Sequence, residues 1–268
     1  MSKILEPLYF DQAFSAQGNF EFREEFIQSF IENGVVVIRD FDCSLEDQKI
    51  ITNNFKYNFP ELFCLENPLF HYSENHQHTV DMRLSQRDPV AGQDDIFITW
   101  HMEMIGYPNP ATGATWNMRR FECDIESGKT FFYDAIGLIN EISKNDLELL
   151  KKCKYKMNII ENKQLICPIK KHAISNKELI YVDPCGQYSV EEFPDGSIDL
   201  CKKLIENIIL KIKTNKNNLI IHKWKEKDIV FVDLSRMYHA VTGGFQPSQR
   251  HFEGLWLNGF AGSKYGTI

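Results

Sequence analysis

The N-terminal part of the chain combines a helical spacing of phenylalanines with a run of β-branched residues. Phe22, Phe26 and Phe30 recur at every fourth position, so they fall on one face of a helix, and Gly34 stands where helices commonly end. The run Val35–Ile38 follows at once and has the composition of a buried strand. The pattern therefore predicts a helix that leads directly into a core strand.

A capping pattern predicts a second helix nearby. Ser44 and Asp47 have the spacing of a capping box, with Asp in place of the usual Glu, and Ile50, Ile51 and Phe55 supply the apolar positions that follow. Further helices are expected over residues 135–142, 144–156 and 197–211. Helices are thus expected at the front of the chain and in a later insertion.

Short strands dominate the rest of the chain. Ile96, Ile98 and Trp100 stand at alternate positions, which is the periodicity of a strand. Other strands are expected near residues 114–118, 130–133, 157–160, 164–169, 179–182, 218–222, 228–232, 239–242 and 254–257. This order predicts a mainly β fold with flanking helices, a sandwich or barrel. A Rossmann fold is disfavoured because no glycine-rich turn joins a strand to a helix.

Composition narrows the class of protein. The chain has 268 residues, which suits a single domain, and its net charge of −7 argues against a nucleic-acid partner. The seven cysteines are scattered, without a C-x-x-C pair, so neither a disulfide framework nor a structural zinc site is expected. No apolar run is long enough for a membrane helix or a signal peptide. We expect a cytoplasmic protein without a membrane partner, and the sequence leaves a homo-oligomer open.

The candidate chemistry begins in the strand near residue 100. His101 and Glu103 are two positions apart, so in an extended chain their side chains project to the same side. His239, which follows a predicted strand, is the candidate third ligand. Two imidazoles and one carboxylate are the protein ligands of non-haem Fe(II) centres that keep open coordination positions. A His-x-Glu pair also occurs by chance, and with eight histidines in the chain ordinary strand residues are the alternative.

The string Trp100–Glu103 resembles the Trp-His-x-Asp motif of the TauD/TfdA family of Fe(II)/2-oxoglutarate-dependent dioxygenases. Other landmarks of that family have counterparts in the same order along the chain. They are a first core strand at 34–40, a Gly-x-Thr strand at 127–133, and a distal strand pair that begins at Asp228 and carries His239 and Arg250. Each piece is weak alone, but the combination spans nearly the whole chain.

The resemblance implies a double-stranded β-helix, or jelly-roll, core and three cofactors or cosubstrates: Fe(II), 2-oxoglutarate and O2. It assigns His101, Glu103 and His239 as the iron ligands. It also assigns Arg250 and Thr130 to the distal carboxylate of 2-oxoglutarate. A planar guanidinium suits that role because it can bind a carboxylate at two points. The alternatives are a surface arginine and a threonine present for its β-propensity.

Two departures from the family pattern bear on the reaction. Glu103 stands where most members have Asp, as in members that resemble clavaminate synthase, many of which act on amino acids. Because a carboxylate is present, halogenation is disfavoured and hydroxylation is expected, with succinate and CO2 as coproducts and desaturation as the alternative outcome. Gly254 stands where taurine-using members carry a second arginine, so taurine is disfavoured as substrate.

The substrate is only weakly encoded. We expect a small polar metabolite, such as an amino acid or a derivative, largely by analogy with the family. Candidate substrate contacts are His71, Arg83, Asn117 and Arg119. Ordinary polar roles at the edge of the core are the alternative for each of them.

The domain is expected to span residues 1–268, with a lid or insert around 66–95 and a helical insert around 144–215. Two other classes of function compete with the oxygenase. One is a non-catalytic jelly-roll binding protein, and the other is a cupin-like metalloenzyme that uses zinc or manganese without 2-oxoglutarate. The presence of all three ligands disfavours the first, and Thr130 with Arg250 disfavours the second.

Overall fold

A computed structural model describes most of the chain. It covers residues 3–15, 19–63, 70–74, 96–103, 105–106, 110–158, 165–185, 188–192, 198–214, 218–245 and 249–258. The helices are α1 (Phe10–Ala13), α2 (Glu24–Asn33), α3 (Leu45–Asn58), α4 (Ala135–Leu138), α5 (Lys144–Lys152) and α6 (Ile198–Thr214), with a 3₁₀ turn at Ile139–Glu141. No helix in these ranges is both long and apolar enough to cross a membrane.

Within the described residues, the strands form two five-stranded sheets and two two-stranded sheets. In chain order they are β1 (Lys3–Ile4), β2 (Val35–Ile38), β3 (Phe70–Glu74), β4 (Ile96–His101), β5 (Ala111–Phe121), β6 (Thr130–Asp134), β7 (Lys154–Met157), β8 (Ile169–Lys171), β9 (Glu178–Ile180), β10 (Tyr188–Glu192), β11 (Leu219–His222), β12 (Ile229–Asp233), β13 (Met237–Thr242) and β14 (Arg250–Asn258). The first sheet has the order β1-β11-β6-β13-β4, and the second has the order β2-β12-β5-β14-β3. Both are antiparallel except for the β1–β11 pair.

The two sheets enclose a shared core. Phe132 and Ile220 of the first sheet pack in one buried cluster with Trp116, Val230 and Trp256 of the second. Side chains that alternate along each strand place one set in this core and the other set on the outer faces. The prediction of a mainly β fold with a jelly-roll core and flanking helices is confirmed.

Helices α2 and α3 cover the outer face of the second sheet. Phe26 and Phe30 of α2 pack with Phe55 of α3 and Phe231 of β12. Helix α2 ends at Gly34, whose φ of 69° is the left-handed conformation that glycine adopts most readily. Both helices were predicted from the sequence, and the capping box at the start of α3 is also confirmed.

The outer face of the first sheet is covered by residues that follow β6. Leu150 of α5 and Ile205 of α6 pack with Phe131 and Tyr133 of β6. In the described residues of the segment expected as a helical insert, two helices are separated by four short strands. Its first helix is shorter than the expected 144–156, because after Lys152 the chain becomes a strand and pairs with β10.

One disulfide lies in this outer layer. Cys153, directly after α5, is bonded to Cys201 in the first turn of α6, and both residues are fully buried. The scattered cysteines of the sequence did not predict this bridge. The two cysteines are separated by 48 positions, so no local spacing pattern reveals that they meet.

Candidate active site

The register of one strand pair brings the two candidate histidine ligands together. His101, the last residue of β4, lies opposite His239 of β13. Their ring centroids are 4.0 Å apart. Glu103 follows β4 in a turn, and its Oε2 is 3.6 Å from Nε2 of His101. One ligand atom from each of the three residues lies within 4.8 Å of the others. We call this group the metal cluster.

Hydrogen bonding orients the first histidine for metal binding. Nδ1 of His101 lies 2.8 Å from the carbonyl oxygen of Thr99. A carbonyl can only accept, so Nδ1 carries the hydrogen and Nε2 presents its lone pair towards Glu103. Metal-bound histidines usually donate their second ring N–H in this way.

The second histidine is held in its neutral form. His239 is buried, and burial together with the neighbouring His101 lowers its pKa well below the usual range. A backbone hydrogen bond with Met237 acts on the pKa in the opposite direction but is outweighed by burial. Neutral imidazoles and an ionised carboxylate are the forms that bind a divalent transition metal. The donor set therefore fits iron with open coordination positions.

A second group of residues surrounds a buried cation. Arg250, the first residue of β14, is 9% exposed. Its Cζ lies 5.1 Å from the ring centroid of Phe245, 5.5 Å from that of Phe252 and 5.7 Å from that of Trp224. Burial lowers the pKa of the guanidinium to about 10, so it stays charged at neutral pH. With Thr130, described next, these residues form what we call the arginine pocket.

Thr130 is joined to this pocket through Trp224. The indole Nε1 donates a hydrogen bond to Oγ1 of Thr130 at 2.8 Å, and both residues are fully buried. Trp224 was not among the residues predicted from the sequence. The available signal was a single large aromatic residue inside the charged stretch from Lys223 to Lys227, because such a residue seldom lies on a solvated loop without a packing role.

The arginine pocket lacks an anion from the protein. No described carboxylate lies within ion-pair distance of Arg250, and its Nε has no hydrogen-bond partner in the described part of the chain. Burying an unpaired charge is costly, so buried cations usually have a partner. The pocket is therefore suited to an anionic ligand.

Ring contacts connect the two groups. The ring of Trp116 lies 5.3 Å from His239 on one side and 6.0 Å from Phe252 on the other. Phe252 in turn contacts Arg250. The metal cluster and the arginine pocket therefore border the same interior between the two sheets.

Two of the expected substrate residues lie elsewhere. The amide of Asn117 donates to the carbonyl oxygen of Cys43 at 2.9 Å. Arg119 donates to the same carbonyl and lies 3.5 Å from the carboxylate of Glu253. Both residues project from the face of β5 opposite Trp116, towards the segment that leads into α3. These contacts do not support a role in substrate binding.

The structure gives less information on the other two substrate candidates. His71 lies in β3, where its backbone is in register with Trp256 of β14. Arg83 lies outside the described residues, as does most of the lid expected around 66–95.

Comparison with known proteins identifies the family. A mainly β fold whose interior holds two imidazoles and one carboxylate belongs to the class of non-haem metal enzymes. The family model described as taurine catabolism dioxygenase TauD, TfdA family matches residues 13–256, and the chain belongs to this family. Its enzymes use Fe(II), 2-oxoglutarate and O2. The prediction of an Fe(II)/2-oxoglutarate-dependent dioxygenase is thereby confirmed.

Solved structures share the fold at low sequence identity. A crystal structure of AAD-2 in complex with Mn(II) and N-oxalylglycine is 14% identical, with a TM-score of 0.65 over 96% of this chain and 93% of that one. A taurine dioxygenase from Burkholderia xenovorans is 12% identical, with a TM-score of 0.65 over 88% of this chain and 80% of that one. A search of curated protein sequences finds no match.

Proposed function

We propose that this dioxygenase hydroxylates an unactivated C–H bond of a small polar metabolite, such as an amino acid or a derivative, and converts 2-oxoglutarate to succinate and CO2. The observation that carries the cosubstrate assignment is the buried Arg250, which has no anionic partner among the described residues and borders the same interior as the metal cluster. Desaturation is the alternative outcome of the same chemistry.

The roles of the residues follow from their chemistry. His101, Glu103 and His239 would hold Fe(II) and leave positions open for other ligands. When bound, the metal centre supplies the activation of O2 that the reaction requires. Arg250 would pair with the distal carboxylate of 2-oxoglutarate, and the hydroxyl of Thr130 would donate a hydrogen bond to it. The aromatic rings around the guanidinium would keep water away from this contact.

The inner face of β14 supports a substrate other than taurine. Gly254 leaves no room for a side chain, because an added Cβ would lie 2.4 Å from Cη2 of Trp256 and 3.2 Å from Cε1 of Phe252. Aromatic rings therefore occupy the place where taurine-using relatives carry an arginine. A sulfonate would find no cation at this position, whereas Glu103 in place of Asp favours amino-acid chemistry by analogy.

A spectroscopic assay tests the cosubstrate assignment. Fe(II) and 2-oxoglutarate are added to the protein without oxygen, and the expected result is a weak visible charge-transfer band that is absent in His101→Ala. No band and no succinate with any metabolite would contradict the proposal.

A second assay tests the substrate. Succinate formation is followed with pools of amino acids and derivatives and, separately, with taurine. Mass analysis of the product separates hydroxylation, which adds an oxygen atom, from desaturation, which removes two hydrogens. Stimulation by taurine alone would overturn the proposed substrate class while leaving the reaction class intact.

A further inference from the structure

Trp224 contacts both residues that the proposed function assigns to the cosubstrate carboxylate. It lies in the connection between β11 and β12, which passes from the first sheet to the second. Its indole nitrogen bonds to Thr130, and its ring lies beside the guanidinium of Arg250. Thr130 and Arg250 belong to opposite sheets, so Trp224 bridges them.

The direction of its hydrogen bond determines what Thr130 can do. An indole N–H is a donor only, so Oγ1 of Thr130 must be the acceptor. A hydroxyl has one hydrogen, and Thr130 makes no other side-chain hydrogen bond among the described residues. With the bond from Trp224 in place, that hydrogen remains available for an anionic oxygen in the pocket.

Neighbouring rings hold the ring of Trp224 in place. The imidazole of His222 meets it edge to face, with centroids 4.4 Å apart at 78°. His222 is itself buried, and its Nε2 lies 3.5 Å from Asp228, which forms a two-point ion pair with Arg39. The ring of Phe252 also lies perpendicular to that of Trp224, with centroids 6.0 Å apart. Trp224 therefore has little freedom to turn away from Thr130.

We propose that Trp224 is a positioning residue for the distal carboxylate of 2-oxoglutarate. It fixes the Thr130 hydroxyl as a donor and, together with Phe245 and Phe252, encloses the Arg250 guanidinium. Its contribution is therefore specific to a 2-oxo acid that carries a second carboxylate. This inference rests on the proposed function, because it takes Arg250 and Thr130 as the carboxylate site.

Binding of 2-oxoglutarate to the Mn(II)-loaded protein, measured by calorimetry, tests the coupling between the two residues. Trp224→Phe keeps a ring but removes the N–H, and Thr130→Val removes the hydroxyl. We expect affinity losses of roughly fivefold and roughly tenfold, respectively. The double variant should bind within about twofold of Thr130→Val alone, because Trp224 acts through that hydroxyl. Unchanged affinity in Trp224→Phe, or losses that multiply in the double variant, would overturn the proposal.

A second ligand separates positioning from simple packing. The monoacid 2-oxopentanoate has the same chain length as 2-oxoglutarate but lacks the distal carboxylate. Its affinity should be the same for the wild type and Trp224→Phe. An equal loss for both ligands would show that Trp224 only fills space, and the proposal would fail.

Two threonine variants serve as controls. Thr130→Ser keeps the hydroxyl and should retain most of the affinity. Thr115→Val removes another buried strand hydroxyl, which bonds to Thr52 at 2.6 Å on the outer side of β5. It should lower the melting temperature without changing the affinity for 2-oxoglutarate. A loss of affinity in Thr115→Val as large as in Thr130→Val would count against a local role.

Arg250→Leu distinguishes the two levels of inference. If the wild type does not bind 2-oxoglutarate, or if Arg250→Leu binds it equally well, the proposed carboxylate site fails and this inference fails with it. If Arg250→Leu loses affinity while Trp224→Phe does not, the proposed function stands and only the role of Trp224 is overturned.

Discussion

The metal cluster and the arginine pocket border one interior, but they differ in how far they are closed to solvent. In the metal cluster His239 is buried, but the side chains of His101 and Glu103 are 24% and 22% exposed. In the arginine pocket Thr130 and Trp224 are fully buried and Arg250 is nearly so. Open ligands suit a centre that must admit O2 and a substrate at each turnover. A closed pocket suits a carboxylate that is recognised in the same way every time. Under the proposed function, the buried pocket would select the cosubstrate, while the partly exposed ligands would leave access to the metal.

The largest effect is expected from a change in the metal cluster. His101→Ala removes one of three metal ligands, so we expect Fe(II) affinity and succinate formation to fall by more than about a hundredfold, beyond the loss typical of outer-shell changes. Anaerobic metal titration measures the affinity. Retained iron binding and turnover in this variant would show that the metal lies elsewhere.

A change in the arginine pocket should alter the affinity for 2-oxoglutarate rather than the affinity for Fe(II). Arg250→Leu leaves the metal ligands intact, so Fe(II) affinity should be unchanged. The affinity for 2-oxoglutarate should fall by about a hundredfold, because a buried charge-assisted pair is lost. Calorimetry measures both affinities. Arg120→Leu, which removes an exposed arginine of β5, is the matched control and should bind 2-oxoglutarate normally. If Arg250→Leu weakened iron as much as 2-oxoglutarate, the two sites would not be separable.

Lowering the pH should reduce the stability of the folded protein, because His222 next to the arginine pocket is buried. Burial lowers the pKa of His222 behind Trp224 to about 3, whereas an exposed histidine titrates near 6.5. As the pH falls below about 6.5, the unfolded chain takes up a proton that the folded chain does not, so stability is lost. Between pH 7 and pH 5 this group should lower the free energy of unfolding of the apoprotein by about 2 kcal/mol.

Urea unfolding of the apoprotein at the two pH values measures this loss. His222→Phe should lose about 2 kcal/mol less than the wild type over the same interval. His251→Asn keeps the buried His222 and should follow the wild type. The same pH dependence in His222→Phe and the wild type would contradict the assigned cause.

The smallest effect is expected outside both sites. Arg119 contacts Glu253 and the carbonyl of Cys43 on the outer face of β5. Arg119→Gln should lower the free energy of unfolding by roughly 1–2 kcal/mol, because Arg119 is partly exposed but the carboxylate of Glu253 is buried. The KM for any substrate found should change less than about twofold. A large rise in KM would indicate that Arg119 does contact the substrate and that the substrate site includes the outer face of β5.

The two sites also differ in how much of them the sequence reveals. His101 and Glu103 were predicted together from strand periodicity, and they do lie close together, although β4 ends at His101 and a turn rather than the strand positions Glu103. His239 was a candidate ligand from its position after a predicted strand, whereas its approach to His101 and the role of Arg250 were implied only by the family resemblance, since both depend on how distant strands pair. Asn117 illustrates the limit of such reasoning. It follows Trp116 directly in β5. Because successive side chains of a strand point to opposite faces, Trp116 lies on the inner face and Asn117 on the outer face.

Other features could not be predicted from local sequence patterns. Trp224 lies in a connection between sheets, and its role depends on Thr130 and Arg250 arriving from either side. The shortening of α5 results from strand pairing between β7 and β10, because hydrophobic spacing alone favours a longer helix. The positions of α2, α3, α6 and the central core strands were predictable, since the alternation of apolar residues is local, whereas β1, β3 and β10 were not predicted.

The bridge between Cys153 and Cys201 gives the outer layer of the first sheet a closed topology. The backbone from one cysteine to the other, together with the disulfide, forms a covalent ring that includes β7–β10. A protease that cuts the chain once within this ring would produce two fragments that still migrate as one species. They would separate on a denaturing gel only after reduction.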